Sequence, residues 1–119
     1  MKGISMKSEL IARVAHNVNR AYCDAMGHEP QPHWDDASDE QKTSAICGVN
    51  YHKQNPESTP EESHKSWMAL KQKAGWSFGV IKDIKRKFHP CFKPYERLNQ
   101  SQKAKDHIFL TVVNELKDL

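Results

Sequence analysis

The chain reads as a helix-rich α+β domain, with about four helices and short strand structure. Three observations predict it. Four residues able to cap a helix, Ser8, Ser38, Thr59 and Asn99, each precede a stretch with apolar residues at helical spacing. The first three stretches end at breakers: Gly27, the Asn55-Pro56 pair and Gly75. Trp76, Phe78 and Val80 then alternate as a strand does. A length of 119 residues suits one domain, expected over residues 8–119 behind a flexible lead of residues 1–7.

In the first helix, Ser8 to about Met26, Ile11, Val14, Val18 and Tyr22 share a face, with Ala15, Ala21 and Ala25 beside it. The following loop, His28 to Ser38, has one large apolar group, Trp34, expected to plug the edge of the core. Ser38-Asp39-Glu40-Gln41 has the form of a capping box for a second helix to about Gln54. Ala45, Ile46 and Val49 mark its inner face, and Cys47 and Gly48 are small enough for close approach.

The third helix, Pro60 to Ala74, has the clearest start. Thr59 caps, Pro60 fits the first turn, and Glu62 reaches back to the cap N–H. Trp67, Leu70 and Ala74 form its expected buried stripe, with His64 and Lys71 along the edge. The connection from Gly79 to Leu98 is long, and such connections are usually functional or disordered; Phe88, Phe92 and Tyr95 anchor this one. Asn99 with Gln102 starts the fourth helix, whose stripe is Ala104, Ile108, Val112 and Leu116, supported by Phe109 and Val113.

Composition bounds the partners. Hydrophobic residues make up 37% and charged residues 28%, a globular but polar chain. A net charge of +3 is too mild, and its basic cluster too short, to favour nucleic acid. No apolar run approaches the ~20 residues that cross a bilayer, and the N-terminus lacks the apolar core of a signal peptide. A soluble, cytoplasmic protein with no membrane partner is expected. Cys23, Cys47 and Cys91 are odd in number and far apart, which points to reduced, mostly buried thiols.

Catalytic and cofactor motifs are weak. Lys82, Lys85, Arg86 and Lys87, with Asp83 among them, form a solvated basic loop or a phosphate clamp, but neither GxxxxGK[ST] nor GxGxxG accompanies them. His89-Pro90-Cys91 resembles a nucleophilic pair without an orienting third group. Metal-ligand spacings are missing, and the paired carboxylates Asp35-Asp36 and Glu61-Glu62 are adjacent, so they do not converge. No cofactor and no enzymatic activity are expected. Residues 59–95 as a whole could frame a pocket with aromatic walls and a cationic rim.

Taken as a set, His64-x-x-Trp67, Gly75-Trp76-x-Phe78-Gly79, Lys82-Asp83, His89-Pro90-Cys91, Pro94-Tyr95 and Lys103-Ala104-Lys105-Asp106 resemble the ryanodine receptor repeat (RyR) domain. Ile11-Ala12-Arg13-Val14, Asn19-Arg20-Ala21-Tyr22 and Thr59-Pro60-Glu61 resemble its single-domain members from bacteria and phages. The resemblance runs from about residue 9 to 117. It implies helices packed around short strands, and an adenine-nucleotide site lined by the tryptophan of the HxxW motif, here Trp67 beside His64. In the channels that site spans two repeats, so a single copy implies a homodimer or a half-pocket. Phe78 stands where tyrosine is common and Phe92 where leucine is usual, and the first change removes a hydroxyl.

The resulting expectation is a non-enzymatic module for a nucleotide-derived ligand, an adenine nucleotide or ADP-ribose-like compound that it senses or sequesters. Trp67 and Trp76 would stack the base, His64 and Lys71 would meet its polar edge, and Lys82 and Arg86 would take phosphate. Asp83, His89 and Tyr95 complete the expected site. The alternative is a protein-interaction domain that docks through residues 79–98.

Overall fold

The computed structural model describes residues 6–119. The order is α1 (Met6–Met26), α2 (Asp39–Gln54), α3 (Pro60–Lys73), β1 (Ser77–Phe78), β2 (Phe88–His89) and α4 (Gln100–Leu116). Single 3-10 turns at Trp34–Asp36 and Tyr95–Arg97 sit in the connections. α1 packs on α2 and α4, and α3 lies across α2 and α4. The core where they meet is Ile11, Ala12, Trp34, Ile46, Val49 and Val113, joined by Phe109, Val112 and Leu116. Trp34 is thus buried in the core, as its isolation in a polar loop implied.

The inward face of α1 differs from the expected one. Ser8, Ile11, Ala12, Ala15, His16 and Cys23 are buried, while Val18, Ala21 and Ala25 face out. Small residues at the contact let two neighbouring helices approach closely, and this outweighs the larger aliphatic stripe. Ser8 does not cap the helix but lies within it, donating to Asn50 Oδ1 at 2.7 Å and accepting from Lys53 Nζ at 3.1 Å. Of the expected N-terminal lead, residues 1–5 fall outside the described residues, whereas Met6 and Lys7 are helical. Gly27 ends the helix with φ +72°.

Ser38 caps α2 by accepting the Gln41 N–H at 3.1 Å. The reciprocal half of the expected box is replaced: Gln41 Nε2 donates to Gln31 Oε1 at 3.2 Å. Ile46 and Val49 are buried as expected, and His52 extends their row, fully buried and 2.6 Å from Ser58 Oγ through Nδ1. Gly48 lies under the Phe109 ring, where an added Cβ would come within 3.0 Å. Cys47, one position round the helix from Ile46, is exposed rather than buried.

Both capping boxes of α3 and α4 are complete. The interior of α3 nevertheless overturns the expected stripe. Ser63, His64 and Lys71 are its buried residues, while Trp67, Leu70 and Ala74 are only partly covered. Polar groups face inward here because they find partners across the space beyond: His64 at the Lys93 carbonyl and Lys71 at Glu40.

The strands are shorter than the alternation suggested. β1 and β2 pair in parallel, Ser77 with Phe88 and Phe78 with His89. Trp76 is buried, yet Phe78 is 50% and Val80 81% exposed, so the three do not share a covered face. After Phe78 the chain leaves the sheet and folds back. Asp83 and Phe88 exchange both backbone hydrogen bonds at 3.0 Å, and Lys87 takes φ +60° to close the turn. The long connection is therefore ordered by its own backbone bonds. No helix among the described residues is long and apolar enough to cross a membrane.

Gly79 offers a test of this turn. A Cβ there would sit 2.4 Å from Phe88 Cβ and 2.8 Å from its Cγ, atoms too near the backbone to swing aside. Gly79→Ala should cost about 1–3 kcal/mol, read as a lower urea midpoint at constant m-value. An unchanged midpoint would mean that Phe88 does not pack over Gly79.

Candidate functional site

The inward residues of α3 set the site. His64, Trp67 and Lys71 fall at i, i+3 and i+7, one helical face. Gly75, at φ +95°, reverses the chain at the helix end, and the Trp76 N–H returns to Lys71 C=O at 3.0 Å. Trp76 is thereby swung under α3. Its indole N–H donates to Glu40 Oε2 at 2.7 Å, and Lys71 Nζ lies 3.5 Å from the same oxygen and 5.1 Å from the Trp76 ring centre.

His89, on β2, stands edge-on to both indoles, 4.9 Å from Trp67 and 6.1 Å from Trp76 between ring centres. Its Nδ1 accepts the Cys91 backbone N–H at 3.0 Å, so the neutral ring carries its proton on Nε2. His64 stacks against Trp67 at 5.6 Å with 25° between planes, and its Nε2–H donates to Lys93 C=O at 2.7 Å.

These groups wall a cavity of about 460 Å³. α1 contributes Asn19, the loop before α2 contributes Gln31, and α4 contributes Gln102, Lys105 and Asp106. Asn19 Oδ1 is buried with no hydrogen-bond partner among the described residues. Lys82 closes the outer side, donating to Gln31 Oε1 at 3.3 Å.

The charge balance is lopsided. Burial draws the Lys71 and Lys82 ammoniums below the usual lysine range, Lys71 against the pull of Glu40. Burial also pushes the Glu40 carboxyl up, but the Trp76 donor and the Lys71 and Lys87 charges together leave it below its ordinary value. His89 is depressed to about 3, first by burial and then by Lys82, Lys105 and Lys71. Asp106 is raised to about 7 by burial, with Lys105 opposing only in part. Burial lowers His64 too. The 3.6 Å approach of His64 Nδ1 to Asp106 Oδ2 is thus not a fixed ion pair: burial disfavours the charge on each, leaving His64 neutral near pH 7 and Asp106 only partly ionised.

Of the expected residues, His64, Trp67, Lys71, Trp76, Lys82 and His89 line the cavity. Arg86 does not: its side chain is 78% exposed, leaning toward Asp83 at 4.0 Å, away from the cavity lining. Asp83 is also outside, because its carboxylate caps the turn at the Arg86 N–H, 3.1 Å away. Tyr95 shares a hydrogen bond of 3.1 Å with His107 and reaches the site only through its ring against His64. Sequence reasoning missed Glu40, Gln31 and Asn19. It quoted Lys105-Asp106 as a motif without assigning either to the site.

The His89–Cys91 pair is not a nucleophilic one, since the histidine takes the cysteine's backbone N–H and burial pushes the thiol up, away from thiolate character. Among the described residues, no three of His, Cys, Asp and Glu gather as a metal site requires.

A cluster of four helices and a two-strand turn around an indole-lined cavity with polar groups set into its walls defines a small pocket-bearing module. Comparison with known protein families matches the chain to the RyR domain over residues 41–117, and it belongs to that family. The match takes in α2, α3, both strands and α4; α1 and the Trp34 turn precede it.

The raised Asp106 carboxyl carries a pH signature. Between pH 3.8 and about 7 the folded chain holds a proton that the unfolded chain has lost, so Asp106 makes stability fall as pH rises across that window. His89, neutral in the fold from about 3 upward against 6.5 unfolded, gives the opposite slope below 6.5. Asp106→Asn removes only the first slope. The variant should gain on wild type by more than about 1 kcal/mol between acid and mildly alkaline pH, measured by urea unfolding as a function of pH. A pH-independent difference would mean an ordinary carboxyl at 106.

Proposed function

We propose that this chain is a non-enzymatic module that binds a nucleotide-derived small molecule, an adenine nucleotide or ADP-ribose-like compound, and senses or sequesters it. One observation carries the reading: Lys71, Lys82 and Lys105 line the cavity beside Trp67, and of these three only Lys71 forms an ion pair among the described residues, with Glu40 at 3.5 Å. Lys71 and Lys82 are partly desolvated, at a cost that the Glu29 charge offsets for Lys82 only in part. An anionic guest relieves that cost.

Trp67 supplies the planar surface. One side of its ring meets His64, His89 stands edge-on to it, Phe92 lies 6.2 Å away, and the ring also lines the cavity. Trp76 serves as a wall, since its N–H is committed to Glu40 and its ring lies by the Lys71 ammonium. Asn19 Oδ1 offers an unused acceptor to a base amine. Base stacking contributes ~1–3 kcal/mol and charge-assisted bonds ~1.5–3 kcal/mol each, which suits micromolar binding. The lack of an activated nucleophile suits binding without turnover.

A second reading, a docking surface on residues 79–98, is favoured by Val80, Ile81 and Ile84, each more than 70% exposed. Thermal-shift screening with AMP, ATP and ADP-ribose separates the two. A binder raises the midpoint with concentration, and Trp67→Ala should weaken it by about 1–3 kcal/mol, with Trp67→Phe retaining part of the effect. If none of the three moves the midpoint, the docking surface is the better reading.

A further inference from the structure

The cavity has a neighbour. A hollow of about 480 Å³ opens on the other side of Lys82, with Glu29, Pro30, Asp36 and Lys85 among its walls. Ser38, Gln41, Lys82 and Ile84 line both spaces. Two of these shared wall residues, Gln41 and Lys82, are clasped together on one atom of the inner lining. Gln31 Oε1 accepts from Lys82 Nζ at 3.3 Å and from Gln41 Nε2 at 3.2 Å, so a single amide oxygen holds both donors.

We propose that the ligand site continues through this clasp, and that its ligand has two parts joined by a phosphate link. This rests on the reading above. The planar base occupies the inner cavity, the link sits at Lys82, and an uncharged, hydroxyl-bearing group such as a second ribose fills the outer hollow.

The chemistry of the clasp supports it. Lys82 is a partly desolvated cation whose recorded hydrogen bond is a long one to a neutral amide. A phosphate oxygen is the stronger acceptor for an ammonium. Its arrival displaces Gln31 from Lys82 and loosens the Gln41 arm, opening the clasp at the atom that forms it.

The outer walls then select the second group. Glu29, Asp36 and Asp83 all border the hollow. Ionised carboxylates only accept hydrogen bonds and repel further negative charge, so the hollow suits sugar hydroxyls better than another phosphate. Lys85, at the rim, leaves the hollow net acidic.

Calorimetry with ADP and ADP-ribose tests this on the full chain, since the two share base and diphosphate and differ in the distal ribose. ADP-ribose should bind about tenfold more tightly, the worth of one or two added hydrogen bonds. Asp36→Trp, at an exposed position on the outer wall, should bring ADP-ribose down to the level of ADP and leave ADP unchanged. Glu29→Ala, a milder change in the same wall, should narrow the gap in the same direction. Gln31→Glu, which gives Lys82 a carboxylate of its own, should weaken both ligands by about tenfold. ADP bound as tightly as ADP-ribose, or equal losses for both in the outer-wall variants, would sink the extension and leave the inner site standing. Failure of both compounds to bind wild type would overturn the extension together with the reading beneath it.

Discussion

The Glu40 carboxylate holds the site open. It accepts the Trp76 indole N–H and pairs with the Lys71 ammonium, so three elements meet on one oxygen: the first turn of α2, the last turn of α3, and the chain just beyond Gly75. Without it, Lys71 would be a buried cation with no counter-charge, a situation costing several kcal/mol. With it, a lysine and a tryptophan face inward while neither closes the space between α3 and α4. A lining of indoles alone would favour collapse onto itself. A lining threaded with Lys71, Lys82, Gln31, Asn19 and Asp106 cannot close without leaving polar groups unpaired.

The same tie explains which parts of the fold were legible in the sequence. Thr59 with Glu62 and Asn99 with Gln102 are local signals, complete within four residues, and both formed as read. Gly27 and Gly75 ended their helices because each backbone takes a positive φ. The inward faces were harder. On α3 the aliphatic stripe through Leu70 and Ala74 was only partly covered, because Lys71 had a carboxylate waiting on another helix and His64 had a carbonyl across the site at Lys93. Partners distant in sequence made polar residues buriable, and hydrophobic periodicity carries no record of them.

The site divides along the same line. Residues of the His64-x-x-Trp67 and Trp76 segments reached the cavity because a helix and its terminal turn fix their direction. The basic run did not behave as a unit. Lys82 turned in to meet Gln31, while Arg86 turned out, its backbone N–H taken by the Asp83 cap. Four neighbouring charges look alike in a sequence; one Asx-type turn sorts them into inside and outside. Glu40 was hidden by a different ambiguity, since an acidic residue in the first turn of a helix is already explained by the helix dipole. Its reach to Trp76 becomes visible only in three dimensions.

Electrostatics inside the cavity follow from burial acting on unlike groups. Desolvation opposes charge whatever its sign, so it lowers His89 and His64 and raises Asp106. Near neutrality His89 and His64 have lost their protons, while Asp106, raised to about 7, is midway through its titration. Apart from Asp106, what remains charged is the set of lysines, with Glu40 committed to one of them. The lysines make the field in the cavity positive, and ionisation of Asp106 weakens it as pH rises through about 7. Asp106 itself faces a histidine, His64, whose other nitrogen is fixed on a carbonyl. Geometry and charge together make this an indole-walled cavity with lysines set into its lining.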